Sequence, residues 1–255
     1  MRPLLSLIKR EFTAYFLSPV GYVTLFFFLV VTGVLFAGVV ADLTRTGAQG
    51  VEDPFAALLG QTVFWYVFAF IPPLLTMRLL AEERGSGTLE TLLTAPIRDW
   101  QVVAGKFVGA VLFFLVLLLP TLAYLPVLLN LDRSNFTFGI DPASAACSYL
   151  GLVLAGMMFL AIGLFVSSLV KNQLVAAMIA LAVCLVFVAV GEGLKYLDAN
   201  SLAAKVVRFL SVPDHFRSDF TRGVIDTRPV VLYLSVTACC LYLTVRSLEA
   251  RRLRA

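Results

Sequence analysis

The amino-acid sequence predicts an all-α integral membrane protein with six transmembrane helices. Of its 255 residues, 60% are hydrophobic and 14% are charged, and the mean hydropathy is +0.93. A soluble domain carries about 25% charged residues. The apolar residues occur in runs of about 20, the length that crosses the hydrocarbon core as a helix. The alternating segments of about ten residues that mark an outer-membrane barrel do not occur.

The first predicted element is an amphipathic helix over Leu4–Leu17 that lies in the membrane interface. Three successive charged residues, Lys9, Arg10 and Glu11, form its polar face and argue against an early start of the first span. A Ser-Pro pair ends the helix. Its predicted apolar face consists of Leu4, Leu5, Ile8, Phe12, Tyr15 and Phe16.

Six apolar segments follow, and we assign residues 1–255 to a single transmembrane domain. The pair Pro72-Pro73 is expected to kink the second span or to end its regular hydrogen bonding. Asp99 is the expected N-cap of the helix that leads into the third span, where Gly105 and Gly109 form a GxxxG motif that permits close helix contact. The spans are predicted near residues 20–40, 62–80, 107–129, 145–170, 174–190 and 230–245.

The longest polar segment, Glu192–Arg228, separates the fifth span from the sixth. Apolar residues recur within it at helical spacing, which predicts a surface or re-entrant helical segment. These residues are Leu202, Val206, Phe209 and Leu210.

The basic residues predict the orientation of the chain in the membrane. With six spans both termini lie on one side, which holds 12 Lys and Arg residues against 8 on the other. Six of those 8 lie in the long segment Glu192–Arg228, so the two short loops on that side carry one each. We therefore expect a multi-pass protein of the plasma (inner) membrane with cytoplasmic N- and C-termini.

The segment Met77–Ile97 is a charged hinge between the second and third spans. Glycines at 85 and 87 interrupt it, because glycine adopts backbone angles that other residues avoid. A short helix then restarts, with Thr88 as its cap and Glu90 in its first turn. Its apolar residues share one face, which suits docking to a partner. An interfacial loop that only connects two spans would show the same spacing.

The hinge resembles the first cytoplasmic loop of ABC type-2 transporter permeases. An acidic pair, a Gly-Thr and a Leu-Glu-x-Leu-Leu-x-x-Pro recur in that family, and here they stand at Glu82-Glu83, Gly87-Thr88 and Leu89–Pro96. The hinge is especially similar to the gliding-motility (GldF-like) branch, and residues 9–19 resemble the family's interfacial entry helix. A segment before the last span resembles the GldF-like branch and comprises His215, Phe216, Phe220, Arg222, Gly223 and Asp226.

The resemblance implies the permease subunit of an ATP-driven transporter, in the family's usual direction an exporter. The hinge would contain a coupling helix that docks onto a separate ABC ATPase subunit. A second permease chain, identical or related, is also implied. The sequence contains no G-x-x-x-x-G-K-[ST] phosphate loop, so ATP and magnesium are expected in the ATPase and no cofactor in this chain. The implied ATPase-coupling residues are Glu82, Glu83, Arg84, Gly87, Thr88, Leu89, Glu90, Leu92 and Leu93.

Several of these residues also have a plain structural interpretation. The charges of Glu82, Glu83 and Arg84 either form ion pairs that hold the hinge or lie at headgroup level. Leu92 and Leu93 either enter a groove on the ATPase or pack against helix ends of this chain. In the segment before the last span, His215 either senses pH or is an ordinary polar surface residue.

Arg222 and Asp226 of the same segment lie four positions apart, a spacing at which they could pair and brace the turn before the last span.

Other classes of function fit the sequence poorly. A membrane-embedded enzyme would need an HExxH motif, a Ser–His pair or an Asp pair in the spans, but His215 is the only histidine and no predicted span contains aspartate. No isolated charge lies in the middle of a span, so the mark of proton or sodium coupling is missing. Four cysteines without a CxxC motif predict neither a disulfide framework nor a zinc site.

The expected partners are the ATPase, the second permease chain and membrane lipids. The net charge of +4 reflects basic loops rather than nucleic-acid binding. A non-transporting membrane scaffold or assembly component is the alternative function.

Overall fold

The computed structural model describes residues 2–46, 54–87, 98–133, 142–196, 198 and 201–252. These residues form helices and the turns between them, which confirms the predicted all-α class for the described part of the chain. The α-helices are α1 (Arg2–Leu17), α2 (Pro19–Thr46), α3 (Pro54–Gly60), α4 (Thr62–Thr76), α5 (Ala81–Gly85), α6 (Asp99–Leu118), α7 (Tyr124–Arg133), α8 (Pro142–Leu169), α9 (Gln173–Ala189), α10 (Leu202–Leu210), α11 (Val212–Ser218) and α12 (Thr227–Arg252), and 3₁₀ helices cover Leu119–Ala123, Val190–Tyr196 and Phe220–Arg222.

Five helical stretches in the described residues are long and apolar enough to cross a membrane. They correspond to the first, third, fourth, fifth and sixth predicted spans. The third begins earlier than predicted, and its N-cap is Arg98 rather than Asp99, because the Gln101 side-chain oxygen accepts the Arg98 backbone N–H at 3.2 Å. The stretches are Pro19–Asp42, Asp99–Leu128, Pro142–Leu169, Gln173–Leu194 and Thr227–Ala250.

The second predicted span is a shorter helix. α4 has 15 residues, which cover about 22 Å at 1.5 Å per residue, against about 30 Å of hydrocarbon core. Pro72 and Pro73 lie inside the helix, which continues to Thr76. A turn over residues 77–80 follows, so the predicted end of this span at residue 80 lies beyond the helix.

α4 nevertheless runs beside α8 over most of the length of that helix. Near its start, the Trp65 ring lies 4.5 Å from the Phe216 ring, which also packs on Gly151 early in α8. Just past its end, the backbone N–H groups of Leu80 and Ala81 donate to the hydroxyl of Ser167, late in α8. α4 and its following turn thus accompany a helix of spanning length. This supports a sixth crossing, and the six-span count stays a prediction.

α8 is the central helix of the bundle. It packs against α4, α6, α9 and α12. Small residues allow the close approach, since a Cβ atom on Gly156 would overlap the Phe114 ring and one on Gly163 would overlap the Thr76 side chain. The apolar core lies around this helix, with Trp65 and Phe159 fully buried in it.

α1 packs along α6, and the GxxxG motif provides the contact surface. A Cβ atom on Gly105 would lie 2.6 Å from Leu7 Cδ2, and one on Gly109 would lie 2.9 Å from Glu11 Cβ. The predicted faces of α1 are wrong at one position: Glu11, assigned to the polar face, is only 8% exposed. The reason is that the face with Leu7 and Glu11 turns toward α6, where a lysine neutralises the carboxylate.

α10 presents apolar side chains to its surroundings. Leu202, Val206 and Phe209 are exposed along one side, and Ala204 is buried on the other. Apolar residues at this spacing on the outer side of a helix fit the predicted surface or re-entrant segment. The position of this segment relative to the membrane stays a prediction.

Candidate functional site

The short helix α5 begins on a cap that another helix supplies. Ser167 Oγ of α8 accepts the backbone N–H groups of Leu80 at 3.2 Å and Ala81 at 3.0 Å. The same hydroxyl donates to the Met77 carbonyl at 3.3 Å. A five-residue helix has little stability of its own. The serine therefore fixes the start of α5 to the end of the central helix.

Arg84 makes a second connection between α5 and α8. Its guanidinium donates to the carbonyl of Ser168 at 3.3 Å and to that of Leu169. Carbonyls in the last turn of a helix have no partner within the helix, and the helix dipole favours a cation there. Arg84 thus stabilises the C-terminus of α8 while it holds α5 in place.

Glu83 connects α5 to α1 and α6 through a buried group of charges. The ammonium nitrogen of Lys106 lies 2.6 Å from Glu83 Oε1 and 3.2 Å from Glu11 Oε1. Lys106 is 1% exposed. Arg10 lies 3.7 Å from Glu83 and 3.5 Å from Glu11. A buried lysine without such partners would be strongly destabilising, so the two carboxylates are what permit it inside the bundle.

Glu82 pairs with Arg78 of the turn that follows α4, and this arginine also reaches the residue between α1 and α2. Arg78 Nε donates to Glu82 Oε2 at 3.0 Å, and the same guanidinium donates to Ser18 Oγ. Two residues after α5, Gly87 has a φ of +75°, which favours glycine. The described part of the hinge is thus held by polar contacts on several sides before the left-handed residue turns the chain.

For Glu82 and Glu83, the ion-pair interpretation is the one that the structure contains, and Arg84 donates hydrogen bonds to carbonyls of α8. Of the predicted coupling residues, Thr88, Leu89, Glu90, Leu92 and Leu93 lie outside the described residues. The assignment of all of them to ATPase coupling stays a prediction.

Sequence reasoning missed three residues of this site: Glu11, Lys106 and Ser167. The available signal was Lys106, a charged residue directly before the predicted start of the third span. It lies inside the spanning stretch that begins with α6, near its start, and is paired there. This charge is therefore neither isolated nor in the middle of the span.

A cavity of about 450 Å³ lies beside these contacts. Residues of α1, α2, α4, α5 and α6 line it. The charged members of the lining are Arg10, Glu11, Arg78, Glu82, Glu83 and Lys106.

The predicted motif before the last span forms a second group, near the start of α8. His215 is 6% exposed and its Nδ1 lies 2.9 Å from the Tyr233 hydroxyl, so the interpretation as a surface residue is wrong. Burial lowers the pKa of His215 below its ordinary value, although Asp219 and Asp214 oppose the shift. Phe216 and Phe220 are fully buried. This part of the motif is a packed core element.

The remaining residues of that motif shape the turn into α12. Gly223 has a φ of +73°, which explains a glycine at that position. Asp226 Oδ1 accepts the backbone N–H of Arg228 at 3.0 Å, at the start of α12. No ion pair joins Arg222 to Asp226, both of which are described, so the predicted brace is wrong. The carboxylate is used as a helix cap instead.

These features define a multi-pass helical membrane protein with a buried charge cluster where a short interhelical segment meets the bundle. Residues 39–212 match the family described as ABC-2 family transporter protein. The match covers more than half of the chain, and the chain belongs to this family. It is therefore a membrane permease subunit, a transporter component of a kind that is generally non-catalytic and normally works with an ABC ATPase.

The motif from His215 to Asp226, which resembles the gliding-motility branch, lies outside the matched residues. That branch stays a prediction. Comparison with curated proteins gave no significant match.

Proposed function

We propose that this chain is the permease subunit of an ATP-driven exporter and that it couples to a separate ABC ATPase through residues 82–97. The observation that carries the proposal is the buried ion pair between Glu83 of α5 and Lys106 of α6. It attaches the first turn of the coupling segment to the membrane helices at a distance of 2.6 Å. A segment that receives a force from a partner must be attached in this way if the force is to reach the bundle.

The attachments of α5 lead to different parts of the bundle. Glu83 binds Lys106 of α6, and the same lysine binds Glu11 of α1. Ser167 and the carbonyls that Arg84 contacts belong to α8, which packs against α4, α6, α9 and α12. A displacement of α5 would therefore act on the central helix and on the interfacial helix together. This arrangement supports a coupling role for the segment that follows.

The proposal includes the rest of the assembly. ATP and magnesium bind in the ATPase, and a second permease chain, identical or related, completes the transport path. The chain lies in the plasma (inner) membrane with both termini in the cytoplasm, so that the hinge faces the compartment that contains ATP. Lys106 is buried rather than part of a loop, so one basic residue fewer lies on the side with the termini. That side still holds more Lys and Arg residues than the other, as a cytoplasmic side should.

A double substitution in the coupling segment tests the proposal. Glu90→Lys with Leu93→Asp is expected to insert into the membrane normally and to lose the ATPase during affinity purification from native membranes. The matched control is Leu202→Asp with Lys205→Glu on α10, where both side chains are exposed. The control should retain the ATPase. Recovery of the ATPase at wild-type yield with the first variant would contradict the docking assignment.

A further inference from the structure

We propose that the cavity beside α5 binds the headgroup of a zwitterionic lipid that carries a phosphate and a primary ammonium group. The cavity has a volume of about 450 Å³, within the range of sites that take ligands of drug size. It lies where the interfacial helix α1 meets the first residues of α2 and the last residues of α4. This site goes beyond the proposed function and does not depend on an ATPase.

The charges of the described residues that line the cavity are balanced. Three cations, Arg10, Arg78 and Lys106, face three carboxylates, Glu11, Glu82 and Glu83. A ligand with a net charge would meet repulsion from half of this lining, whereas a ligand with one charge of each sign meets a partner for both. Charge complementarity therefore selects a neutral zwitterion.

Arg78 and Glu82 retain the capacity to bind the two charged groups. The guanidinium has five N–H donors, and its hydrogen bonds to Glu82 and Ser18 engage only two of its nitrogens. The Glu82 side chain is 45% exposed and that of Arg78 is 36% exposed. A phosphate bonds to a guanidinium through two parallel hydrogen bonds, and an ammonium donates to a carboxylate. The adjacent pair thus mirrors the charges of the headgroup.

The lining also distinguishes a primary ammonium from a quaternary one. A trimethylammonium group has no N–H to donate and is bound by cages of aromatic rings. Among the described residues that line the cavity, Tyr15 is the aromatic one, and both its hydroxyl and its ring contact other parts of the protein. Its hydroxyl donates to the Leu75 carbonyl at 3.0 Å, and its ring stacks on Phe113 at 4.7 Å. Carboxylates rather than rings are offered to the ammonium.

One wall of the cavity is apolar, which indicates a lipid rather than a water-soluble ligand. Leu74, Leu75 and Leu79 line this wall, together with Val20 at the start of α2. These residues belong to the ends of segments that continue into the bundle. A headgroup held by the charges would place the first part of its acyl chains along this wall, where their burial adds favourable free energy.

Native mass spectrometry of the purified full-length chain tests the site. The chain is mixed with phosphatidylethanolamine, phosphatidylcholine or phosphatidylglycerol of identical acyl chains. We expect preferential retention of phosphatidylethanolamine. Arg78→Gln with Glu82→Gln should reduce that retention by about tenfold, as expected for the loss of charge-assisted hydrogen bonds. Lys205→Gln with Arg208→Gln on the exposed side of α10 is the matched control and should change nothing.

A second variant keeps the test decisive if the first one folds poorly. Arg10 is 63% exposed, so Arg10→Gln should fold and still lower the retention of phosphatidylethanolamine. Equal retention of the three lipids, unaffected by the Arg10 and Arg78 variants, would overturn the proposal. Preference for phosphatidylglycerol would overturn the zwitterionic assignment. Excess soluble phosphoethanolamine should leave the bound lipid in place, and displacement by it would overturn the lipid as the source of the headgroup.

Discussion

The ammonium nitrogen of Lys106 lies 2.6 Å from Glu83 Oε1, and this contact joins α6 to the first turn of the proposed coupling segment. Glu11 of α1 accepts a hydrogen bond from the same ammonium at 3.2 Å. Three segments that are far apart in sequence therefore share one buried cation. The bonds are charge-assisted and shielded from water, so they are strong, and the loss of one partner is costly.

The first prediction concerns the lysine of this cluster. Lys106→Met leaves two carboxylates beside each other without their buried cation, and it should lower the free energy of unfolding by about 3–5 kcal/mol. Chemical denaturation of the purified chain in detergent micelles measures the change. Lys205→Met removes an exposed lysine of α10 and should alter the same quantity by less than about 0.5 kcal/mol.

A compensating variant separates the missing cation from the missing packing. Lys106→Met combined with Glu11→Gln and Glu83→Gln removes the unbalanced charge, and it should recover most of the lost stability. If Lys106→Met alone is as stable as the unaltered chain, the buried ion pair does not hold the hinge.

The second prediction concerns the cap that α8 supplies to α5. Ser167→Ala leaves the N–H groups of Leu80 and Ala81 buried without their acceptor, at a cost of about 1–3 kcal/mol. Ser235→Ala is the matched control, because its hydroxyl donates only within its own helix, to the Leu232 carbonyl. Thermal unfolding of both variants gives the comparison. Equal effects of the two substitutions would show that the Ser167 hydroxyl is not a cap.

The third prediction tests the contact between α1 and α6 with a pair of glycines. Gly109→Ala places a methyl group 2.9 Å from Glu11 Cβ, and we expect a loss of about 1–3 kcal/mol from overpacking. A Cβ atom on Gly38 of α2 would meet nothing within 4 Å. Gly38→Ala should therefore raise helix stability by about 0.5–1 kcal/mol. Thermal unfolding should show opposite shifts, and shifts of the same sign would refute the close contact.

The fourth prediction concerns pH. Burial lowers the pKa of His215 below the ordinary value of 6.5. Above that value, the residue is neutral in the folded and unfolded chains alike and contributes no pH dependence. As the pH falls below it, the unfolded chain binds a proton that the folded chain excludes. Stability should then decrease, by at most about 1.4 kcal/mol per pH unit for this one group.

Unfolding curves between pH 7.5 and pH 5.0 measure this dependence. His215→Gln removes the titrating group and should flatten the profile in that interval, whatever its effect at pH 7.5. Profiles of equal slope for the variant and the unaltered chain would mean that the histidine is accessible to protons in the folded protein.

Local patterns in the sequence predicted the parts of the fold that depend on local chemistry. The apolar runs indicated the membrane class. The GxxxG motif correctly indicated a close helix contact, at Gly105 and Gly109.

The charge cluster was not predictable in the same way. A charged residue in an amphipathic helix normally faces water, and Glu11 departs from that rule only because the lysine of another helix meets it. Ser167 caps the N–H groups of Leu80 and Ala81, which lie 87 and 86 positions before it in the sequence. The burial of His215 likewise depends on Tyr233 in the following helix. Such pairings arise from tertiary packing, which periodicity in one segment does not encode.

The central claim is that the segment after α5 is where the ATPase docks. Site-specific photo-crosslinking in native membranes tests it most directly, with a photoreactive amino acid in place of Leu93. The comparison position is Val224, which is 56% exposed and follows the turn that packs near the start of α8. We expect position 93, and not position 224, to crosslink to a Walker-motif ATPase. Crosslinking from position 224 alone, or from neither position while the ATPase co-purifies, would contradict the claim.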